Sequence, residues 1–457
     1  MDRISTGIES LDNILSGGFP EGAAILIAGR PGTGKTILAH QMMFSNASAE
    51  RKAVYLTTLA EPQIKVMKFQ QQFDFFDYTK VQESVIYQDL GSTLRKYGPS
   101  KSLAVINELI QTHQPTLMVI DTIKTIADMI PGMTEYREFL LDLSLRLTTW
   151  GCTAILLGEY SEEDIEIRPE SAIADGIILL YGTEEKIRQK RYLRILKMRG
   201  TAYTGGENVF SIGSGGIEIF PRLNASVNKQ TYYNFAEKVS TGVPKLDEMM
   251  RGGIPYGTAT LVSGASGTGK TILALNFILA GMKKGEKAVF ITFEENPRQI
   301  IHSCLKMGIN LQDYIDRGLL FLEHFSPVEL DVDEHVYYIQ RLAHENKAKR
   351  VVIDSISSFE LGMADKIKYT NYIFGLTDYF KTQEVTVCLT NEIHNSAIAS
   401  ELTKHGISYV ADNLILLKFI ESDFELKRYL RVVKMRGSSH ANTITEVVID
   451  ENGFSLK

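Results

Sequence analysis

One long segment of this chain occurs twice. Residues 4–22, ISTGIESLDNILSGGFPEG, recur as VSTGVPKLDEMMRGGIPYG at residues 239–257, an offset of 235 positions. The matching continues beyond these segments, and the offset has changed by only two positions at Asp121 and its counterpart Asp354. Small changes of this kind indicate loop insertions within one repeated fold. Copies of this length are much longer than the units of a solenoid, so the repeat predicts a duplicated domain.

The repeat also defines the domain boundaries that we predict. The first copy extends over residues 1–221 and the second over residues 239–457. Residues 222–238, RLNASVNKQTYYNFAEK, are polar, lack the periodicity of a helix or a strand, and match nothing in the other copy. We therefore expect two domains of ordinary size that are joined by a linker.

Within each copy, short apolar segments alternate with helical ones. In the first copy, the segments 24–28, 54–57, 117–120 and 153–157 are continuously apolar or nearly so. Such strands are typical of a parallel sheet that is covered on both faces. Each copy ends in a predicted hairpin with glycine at its turn. The predicted fold class is therefore α/β, with a mostly parallel sheet flanked by helices in each copy.

Each copy contains one glycine-rich loop of the form G-x-x-x-x-G-K-[ST]. Residues 29–36 read GRPGTGKT and residues 264–271 read GASGTGKT, in each case after an apolar strand and before a helix. Glycines let backbone N–H groups surround phosphate oxygens, and the helix N-terminus adds partial positive charge. This context predicts two tandem RecA-like P-loop NTPase domains. The predicted ATP-binding residues are Gly29, Gly32, Thr33, Gly34, Lys35, Thr36, Gly264, Gly267, Thr268, Gly269, Lys270 and Thr271.

The expected cofactors are ATP and Mg²⁺. In a P-loop, the lysine reaches the β- and γ-phosphates and the final hydroxyl binds the metal. A buried strand that ends in an acid supplies the Walker B carboxylate of the metal shell. The predicted metal ligands are Thr36, Asp121, Thr271 and Asp354. The alternative for each aspartate is an ordinary surface carboxylate at a strand end.

The two copies differ at a second strand end. The second copy reads FITFEEN and places Glu294 and Glu295 where paired carboxylates can orient and deprotonate an attacking water or hydroxyl. The first copy has Leu59 and Ala60 at these positions, and Glu61 lies one residue further along. In an extended segment, that step turns the side chain to the other face. We therefore expect the first site to bind ATP and to hydrolyse it slowly. The alternatives are a strand end that brings Glu61 round to the phosphate, and a Glu294/Glu295 pair that only solvates a loop.

A basic motif, K-M-R-G, occurs late in each copy. It contributes Lys197 and Arg199 in the first copy and Lys434 and Arg436 in the second. One interpretation is a solvated strand edge. The other is a catalytic pair that reaches the γ-phosphate of a neighbouring subunit, as an arginine finger does.

The composition limits the classes of protein that fit. The formal net charge is −6 and the isoelectric point is near 5.9, which argues against generic attraction to a phosphate backbone. The three cysteines have no partner at metal-ligand spacing. No apolar segment has the length of a membrane helix, and the N-terminus has no apolar core of a signal peptide. We expect a cytoplasmic protein with no membrane or nucleic-acid partner.

The motifs together resemble the KaiC family of clock ATPases and autokinases. The resemblance covers nearly the whole chain and includes ITFEEN at 291–296, ILKMRGT at 195–201 and VVKMRGSSH at 432–440. It implies a homohexamer of stacked rings with ATP bound between subunits, and K-M-R-G residues that act across the subunit boundary. It also implies catalytic roles for Glu294 and Glu295 and a KaiB-like regulatory partner.

The resemblance also implies a phosphorylation site. Ser408 and Tyr409 precede Asp412 and an apolar strand, where the family has a phosphorylated Ser-Thr pair. Ser408 is accordingly the expected serine autophosphorylation site. The alternative is a pair of loop residues without phosphate chemistry.

The leading interpretation is an ATP-binding and ATP-hydrolysing hexameric regulator. A DNA recombinase or helicase of the RecA or RadA type is a second class, because RecA-like cores also build those enzymes. A nucleotide-gated scaffold with little turnover is a third.

Overall fold

In its described residues, each half of the chain is built on one nine-stranded sheet. In the computed structural model, contacts divide the chain into two units, Met1–Arg222 and Leu223–Lys457. The structure describes residues 2–58, 63–81, 83–185, 188–223, 237–326, 331–363, 366–393, 410–422, 425–451 and 453–457. Most of the predicted linker, residues 224–236, lies outside these ranges. The domain boundaries taken from the repeat therefore stay a prediction.

The first unit contains eleven strands and eight α-helices in its described residues. Its strands are β1 Arg3–Ile4, β2 Phe19–Pro20, β3 Ala24–Ala28, β4 Ala53–Thr57, β5 Val85–Asp89, β6 Leu117–Asp121, β7 Thr153–Gly158, β8 Gly176–Glu185, β9 Arg188–Met198, β10 Glu207–Gly213 and β11 Gly216–Phe220. Its helices are α1 Glu9–Ile14, α2 Lys35–Asn46, α3 Gln63–Gln70, α4 Gly91–His113, α5 Ile123–Met129, α6 Met133–Thr149, α7 Glu162–Ile167 and α8 Pro169–Ile173.

The main sheet of the first unit has the order β11-β10-β9-β8-β3-β7-β6-β4-β5. The strands from β8 to β5 pair in parallel, and the pairs from β8 to β11 are antiparallel. All five residues of β3 are buried. Ile25 and Ile27 join one apolar cluster, whereas Leu26 and Ala28 join a second one. Because successive side chains of a strand point to opposite faces, the sheet has a core on each face.

The second unit repeats this architecture. Its strands are β12 Lys238–Val239, β13 Ile254–Pro255, β14 Ala259–Gly264, β15 Ala288–Thr292, β16 Leu320–His324, β17 Arg350–Asp354, β18 Thr386–Glu392, β19 Asn413–Ser422, β20 Glu425–Met435, β21 Ile444–Asp450 and β22 Gly453–Leu456. Its helices are α9 Pro244–Met249, α10 Lys270–Met282, α11 Pro297–Lys306, α12 Leu311–Asp316, α13 Val332–Glu345, α14 Ser357–Gly362 and α15 Lys366–Thr382.

The second sheet has the order β16-β15-β17-β18-β14-β19-β20-β21-β22, which is the first order read from the other edge. Leu261 and Val262 of β14 again belong to two different apolar clusters. In both units the P-loop strand lies inside the sheet, with the parallel strands on one side and the antiparallel extension on the other. The predicted α/β class, with two tandem RecA-like domains and mostly parallel sheets, is confirmed.

The segment by which the repeat is recognised has a structural role in each unit. Asp12 accepts the Thr6 N–H at 2.7 Å, and Asp247 accepts the Thr241 N–H at the same distance. A Cβ at Gly18 would lie 2.3 Å from a carbonyl oxygen of β1, so the close approach of β1 and β2 requires glycine there. These contacts fix the conformation of the segment that leads into the main sheet. They account for the repeated residues of this segment without any ligand.

A β-bulge interrupts the first antiparallel pair of each extension. The register of β9 shifts opposite Ile177 and Ile178 of β8. The register of β20 shifts opposite Leu414 and Ile415 of β19. Each bulge comes directly before the K-M-R-G motif. An extra residue reverses the alternation of a strand, so it decides which face the following side chains join.

No helix in the described part of the chain combines the length and the apolar character that a membrane crossing requires.

Candidate nucleotide-binding sites

The P-loop of the first unit begins where β3 ends. The Gly29 N–H donates to the carbonyl oxygen of Gly158 in β7 at 3.2 Å, which fixes the start of the loop. A Cβ at Gly29 would lie 2.3 Å from the carbonyl oxygen of Leu180, so only glycine fits beside β8. Gly32 and Gly34 have φ of 82° and 102°, in the left-handed region. Gly34 also directly precedes α2, whose first N–H groups have no partner within the helix and suit an anion.

The lysine of this loop lies against the loop itself. Lys35 Nζ donates to the carbonyl oxygens of Gly29 at 2.8 Å and Arg30 at 3.0 Å. Thr33 Oγ1 donates to the same Arg30 oxygen at 2.8 Å, which closes the turn. Burial lowers the pKa of Lys35, whereas the carboxylates of Glu159 and of the acid that ends β6 raise it. A buried ammonium group at the mouth of the loop is placed to bind phosphate.

Asp121 ends β6 beside the loop threonine. Thr36 Oγ1 donates to Asp121 Oδ2 at 3.1 Å, and the Tyr55 hydroxyl donates to the same oxygen. Burial raises the pKa of Asp121, and these two donors oppose that change. The sheet therefore brings together the two side chains predicted to hold Mg²⁺ in the first unit.

The P-loop of the second unit has the same local construction. A Cβ at Gly264 would lie 2.6 Å from the carbonyl oxygen of Leu417 in β19. Gly267 and Gly269 have φ of 76° and 100°, and Gly269 directly precedes α10. Glycine is required at corresponding points of both loops for the same two reasons, close approach and left-handed backbone.

The lysine of the second loop is also turned onto the loop. Lys270 Nζ donates to the carbonyl oxygen of Ala265 at 3.0 Å, and Thr268 Oγ1 donates to that oxygen at 2.7 Å. Burial lowers the pKa of Lys270, and the carboxylates of Glu392 and Asp354 raise it. The electrostatic setting of the two lysines is therefore alike.

Asp354 ends β17 and lies beside Thr271. The Thr271 side chain hydrogen-bonds to Asp354, and the Thr390 hydroxyl donates to Asp354 Oδ1. Burial raises the pKa of Asp354, and the two hydroxyl donors oppose it. The peptide bond that follows Asp354 is cis, as is the one that follows Asp121.

The paired glutamates of the second unit lie just beyond β15. Ser355 Oγ donates to Glu294 Oε1 at 2.9 Å, which ties one carboxylate to the end of β17. The Glu295 N–H donates to Thr292 Oγ1 at 3.1 Å, which turns the chain after the strand. Partial burial raises the pKa of Glu295, and the charges of Asp354 and Glu294 raise it further. A carboxylate with a raised pKa is a stronger base, as deprotonation of a nucleophile requires.

The corresponding strand end of the first unit leads into residues 59–62, which lie outside the described residues. Thr57, the last residue of β4, pairs with the acid that ends β6, so this segment starts beside the predicted metal site. The expected difference between the units at Leu59, Ala60 and Glu61 stays a prediction.

Sequence reasoning missed one carboxylate in each unit. Glu159 directly follows β7, Glu392 ends β18, and each raises the pKa of the P-loop lysine of its own unit. β7 lies between the P-loop strand and the strand of Asp121, so its end faces the loop. The two glutamates share the offset of Asp121 and Asp354, and this matched register was the signal that could have identified them.

The residues predicted to hold Mg²⁺ fit that ion and do not form a complete cage. Among the described residues, no group of three or more His, Cys, Asp or Glu side chains is arranged as a metal centre. Mg²⁺ keeps several waters and is commonly bound by one or two protein oxygens together with phosphate. One hydroxyl and one carboxylate in each unit meet this requirement when ATP supplies the phosphate oxygens.

The K-M-R-G residues lie at the other end of the P-loop strand. Lys197 Nζ donates to the carbonyl oxygen of Ser171 at 3.1 Å, and Arg199 forms an ion pair with Asp175 at 3.5 Å. Asp175 in turn accepts the N–H of Ala24, the first residue of β3, at 3.1 Å. The structure therefore does not bring these two side chains to the loop that follows β3.

The second unit has the same arrangement. Lys434 Nζ donates to the carbonyl oxygen of Ala411 at 2.8 Å, and Arg436 pairs with Asp412 at 3.5 Å. Asp412 accepts the Ala259 N–H at 3.0 Å, at the start of β14. Burial lowers the pKa of Lys434, and the neighbouring Arg436 lowers it further.

A family model described as "ATPase: KaiC" matches residues 4–224 and again residues 239–457. The chain belongs to the KaiC family. Circadian clock oscillator proteins KaiC from Rippkaea orientalis and Synechococcus elongatus are each 30% identical to it, over 465 and 466 residues. These matches cover 100% of this chain and 88% and 89% of the two relatives.

Membership of the KaiC family makes the chain a P-loop ATPase, in agreement with its two nucleotide-binding loops. The expected phosphate acceptor of this KaiC-family chain, Ser408, lies with Tyr409 in residues 394–409, outside the described residues. The description resumes at Val410, just before Asp412 and β19. The phosphorylation site stays a prediction.

Proposed function

We propose that this chain is an ATP-binding and ATP-hydrolysing regulator that assembles as a homohexamer and uses Mg²⁺–ATP at both P-loops. One observation carries the proposal. In each unit a P-loop lysine, a loop threonine and a strand-end aspartate meet at one edge of the sheet, and Thr36 Oγ1 lies 3.1 Å from Asp121 Oδ2. That arrangement suits the phosphates and the metal shell of one nucleotide per unit.

Nucleotide occupancy tests this proposal directly. The purified chain should carry two ATP molecules per protomer in the presence of Mg²⁺. Lys35→Ala should remove one nucleotide and Lys270→Ala the other, because each lysine binds the phosphates of its own unit. A single variant that still carries two nucleotides per chain would refute the assignment.

Hydrolysis is assigned mainly to the second unit. Only in this unit does a glutamate pair follow the strand beside the one that ends in the predicted metal ligand. Ser355 donates a hydrogen bond of 2.9 Å to Glu294 of that pair. The raised pKa of Glu295 supports a role in activating the attacking water or hydroxyl. The first unit then serves mainly to bind ATP, which stabilises the assembly by mass action.

The K-M-R-G residues are assigned to the neighbouring subunit's nucleotide. Arg199 pairs with Asp175, which accepts the N–H of the first residue of β3, and the P-loop follows the other end of that strand. At about 3.3 Å per residue, the two points are separated by about 16 Å, which is longer than an arginine side chain. Lys197, Lys434 and Arg436 are placed in the same way, so an arginine-finger role requires a ring of subunits.

Mixed rings test the action between subunits. A chain with Arg436→Ala still has its own glutamates, and a chain that lacks Glu294 and Glu295 still has its own arginine. Mixing the two should restore part of the turnover, and Lys434→Ala should behave as Arg436→Ala does. Mixed rings without any restored turnover would indicate that the basic residues act within their own subunit.

Serine autokinase activity at the second site is a finer proposal. It is supported by the register of Ser408 with the phosphorylated pair of the KaiC family and by the glutamates that would serve as base. Incubation with γ-labelled ATP should label the wild type, and Ser408→Ala should remove the label. Label that persists in the variant, or none in the wild type, would contradict this assignment.

The resemblance to the KaiC family supports a KaiB-like regulatory protein as the proposed partner and the cytoplasm as the proposed compartment. The isoelectric point near 5.9 disfavours the recombinase or helicase alternative. Salt-sensitive DNA binding in a gel shift would favour that alternative, and ATP turnover near zero would favour the scaffold.

A further inference from the structure

The two predicted metal aspartates receive a hydroxyl donor from opposite sides. In the first unit, Asp121 accepts from Tyr55, which belongs to β4. In the second unit, Asp354 accepts from Thr390, which belongs to β18. β18 corresponds to β7 of the first unit, whereas β4 flanks β6 on the other side. The same function is therefore supplied by different strands in the two units.

At each of the two donor positions, the other unit has a residue without a hydroxyl. Tyr55 pairs with Val119 on β6, and the matching residue of the second unit, Phe290, pairs with Val352 on β17. Phe290 has the ring of a tyrosine and no hydroxyl. Leu157 pairs with Asp121 and occupies the place of Thr390 in the second unit, and it has no hydroxyl either. Besides its P-loop threonine, each unit therefore keeps one strand residue whose hydroxyl donates to the aspartate, and it has an apolar residue where the other unit has that donor.

The tyrosine of the first unit is supported by a buried histidine of the P-loop helix. The His40 and Tyr55 rings lie 4.4 Å apart between centroids, and His40 Nδ1 lies 2.8 Å from the carbonyl oxygen of Thr36. Since that carbonyl can only accept, Nδ1 is the donor. The second unit has Leu275 at the place of His40, so this polar packing occurs at the first site and is matched by apolar packing at the second.

We propose that Tyr55 is a positioning residue of the first site, which holds Asp121 in the orientation that binds Mg²⁺, and that Thr390 does the same for Asp354 at the second site. This inference rests on the proposed binding of Mg²⁺–ATP at each P-loop. A hydrogen bond to one carboxylate oxygen limits rotation of the side chain and strengthens its preference for one arrangement.

The test measures metal affinity at one site at a time. In a Lys270→Ala chain, only the first site holds nucleotide, and Mn²⁺ binding to the chain loaded with a non-hydrolysable ATP analogue can be followed by electron paramagnetic resonance. Tyr55→Phe should weaken metal binding about 10-fold, the lower end of the loss seen when a partner of a metal ligand is removed. The nucleotide itself should be retained through Lys35.

Rescue distinguishes positioning from packing. Adding Leu157→Thr to the Tyr55→Phe chain supplies the hydroxyl that the second unit uses and should return the affinity to within about 3-fold of the starting chain. Leu157→Val has nearly the same shape as threonine without the hydroxyl and should not restore it. Tyr87→Phe is the matched control, because it removes a buried tyrosine hydroxyl that has no hydrogen-bond partner in the described structure.

The second site allows an independent test of the same inference. In a Lys35→Ala chain, Thr390→Val should weaken metal binding at the second site by a similar factor, and Phe290→Tyr should restore it in part. This pair keeps the inference testable if a change at Tyr55 prevents folding. Unchanged metal affinity in both Tyr55→Phe and Thr390→Val would overturn the inference, as would equal rescue by threonine and valine at position 157. A Lys270→Ala chain that holds no nucleotide would instead overturn the proposed function, and the inference with it.

Discussion

The glutamate pair of the second unit gives the sharpest test of where ATP is hydrolysed. We consider the change of both Glu294 and Glu295 to glutamine in a Lys35→Ala background, so that only the second site turns over. Glutamine keeps the size of each side chain and its ability to accept the hydrogen bond from Ser355, which measures 2.9 Å to Glu294. The change therefore removes charge and basicity and leaves the packing in place.

The expected loss follows from the role of a general base. Such a group contributes about 10²- to 10⁴-fold to a rate. The P-loop and the predicted metal ligand Asp354, which lie beside these two glutamates, would still position ATP. We therefore expect a loss at the lower limit of this range, about 10²-fold. That factor corresponds to about 2.7 kcal/mol of transition-state stabilisation. Each single change should cost less, because one carboxylate remains beside Asp354.

The assay is steady-state phosphate release, with nucleotide occupancy measured on the same samples. Glu345→Gln is the control, because it makes the same chemical change at an exposed position of α13. A double variant that keeps more than one tenth of its turnover would refute the role of the pair. A loss of bound ATP that parallels the loss of rate would indicate a binding role instead. An equal loss from Glu61→Gln in a Lys270→Ala background would place hydrolysis at the first site as well.

Three further predictions concern pH dependence, stability and the loop backbone. Because the charge of Glu294 raises the pKa of Glu295, Glu294→Gln should move the acid limb of the turnover profile to lower pH, and an unmoved or higher limb would contradict the coupling. Arg350→Ala leaves a glutamate and two carbonyl oxygens without their buried partner, and it should lower the free energy of unfolding by about 3 kcal/mol in a denaturant titration. Gly29→Ala should abolish nucleotide binding at the first site, since its Cβ would lie 2.3 Å from a carbonyl oxygen of β8, whereas Gly205→Ala meets nothing within 4 Å and should bind normally.

Most of the fold could be predicted because its signals are local or repeated. Continuously apolar segments such as residues 24–28 identified buried parallel strands, and the structure has β3 at the same residues. The helix after the first P-loop was predicted to follow Thr36, and it begins already at Lys35, since Gly34 in its left-handed conformation ends the loop. Sequence order alone did not give the order of the strands, because neighbours such as β3 and β7 are far apart in the chain.

The site was predictable to the extent that its residues form motifs. The P-loops are contiguous, so their geometry is encoded within eight residues of sequence. Tyr55 and Thr390 lie on strands that border the metal acid from opposite sides, and their contacts depend on a register that one sequence does not reveal. Glu159 and Glu392 are single acids without a motif around them, and only the sheet order relates them to the phosphate loops.

The bulge before each K-M-R-G motif makes the strand that carries it sensitive to insertions and deletions. In β9, Ile178 pairs with Ile195 and Ile177 pairs with Lys197, so Leu196 is the extra residue. Removing it would restore strict alternation and turn the following lysine and arginine toward the opposite face of the sheet. A one-residue deletion should therefore be far more damaging here than most substitutions, because it changes the direction of all the side chains that follow the bulge in this strand at once. The spacing from aspartate to arginine is 24 residues in both units, so this stretch has kept its length while loops elsewhere in the duplicated chain have not.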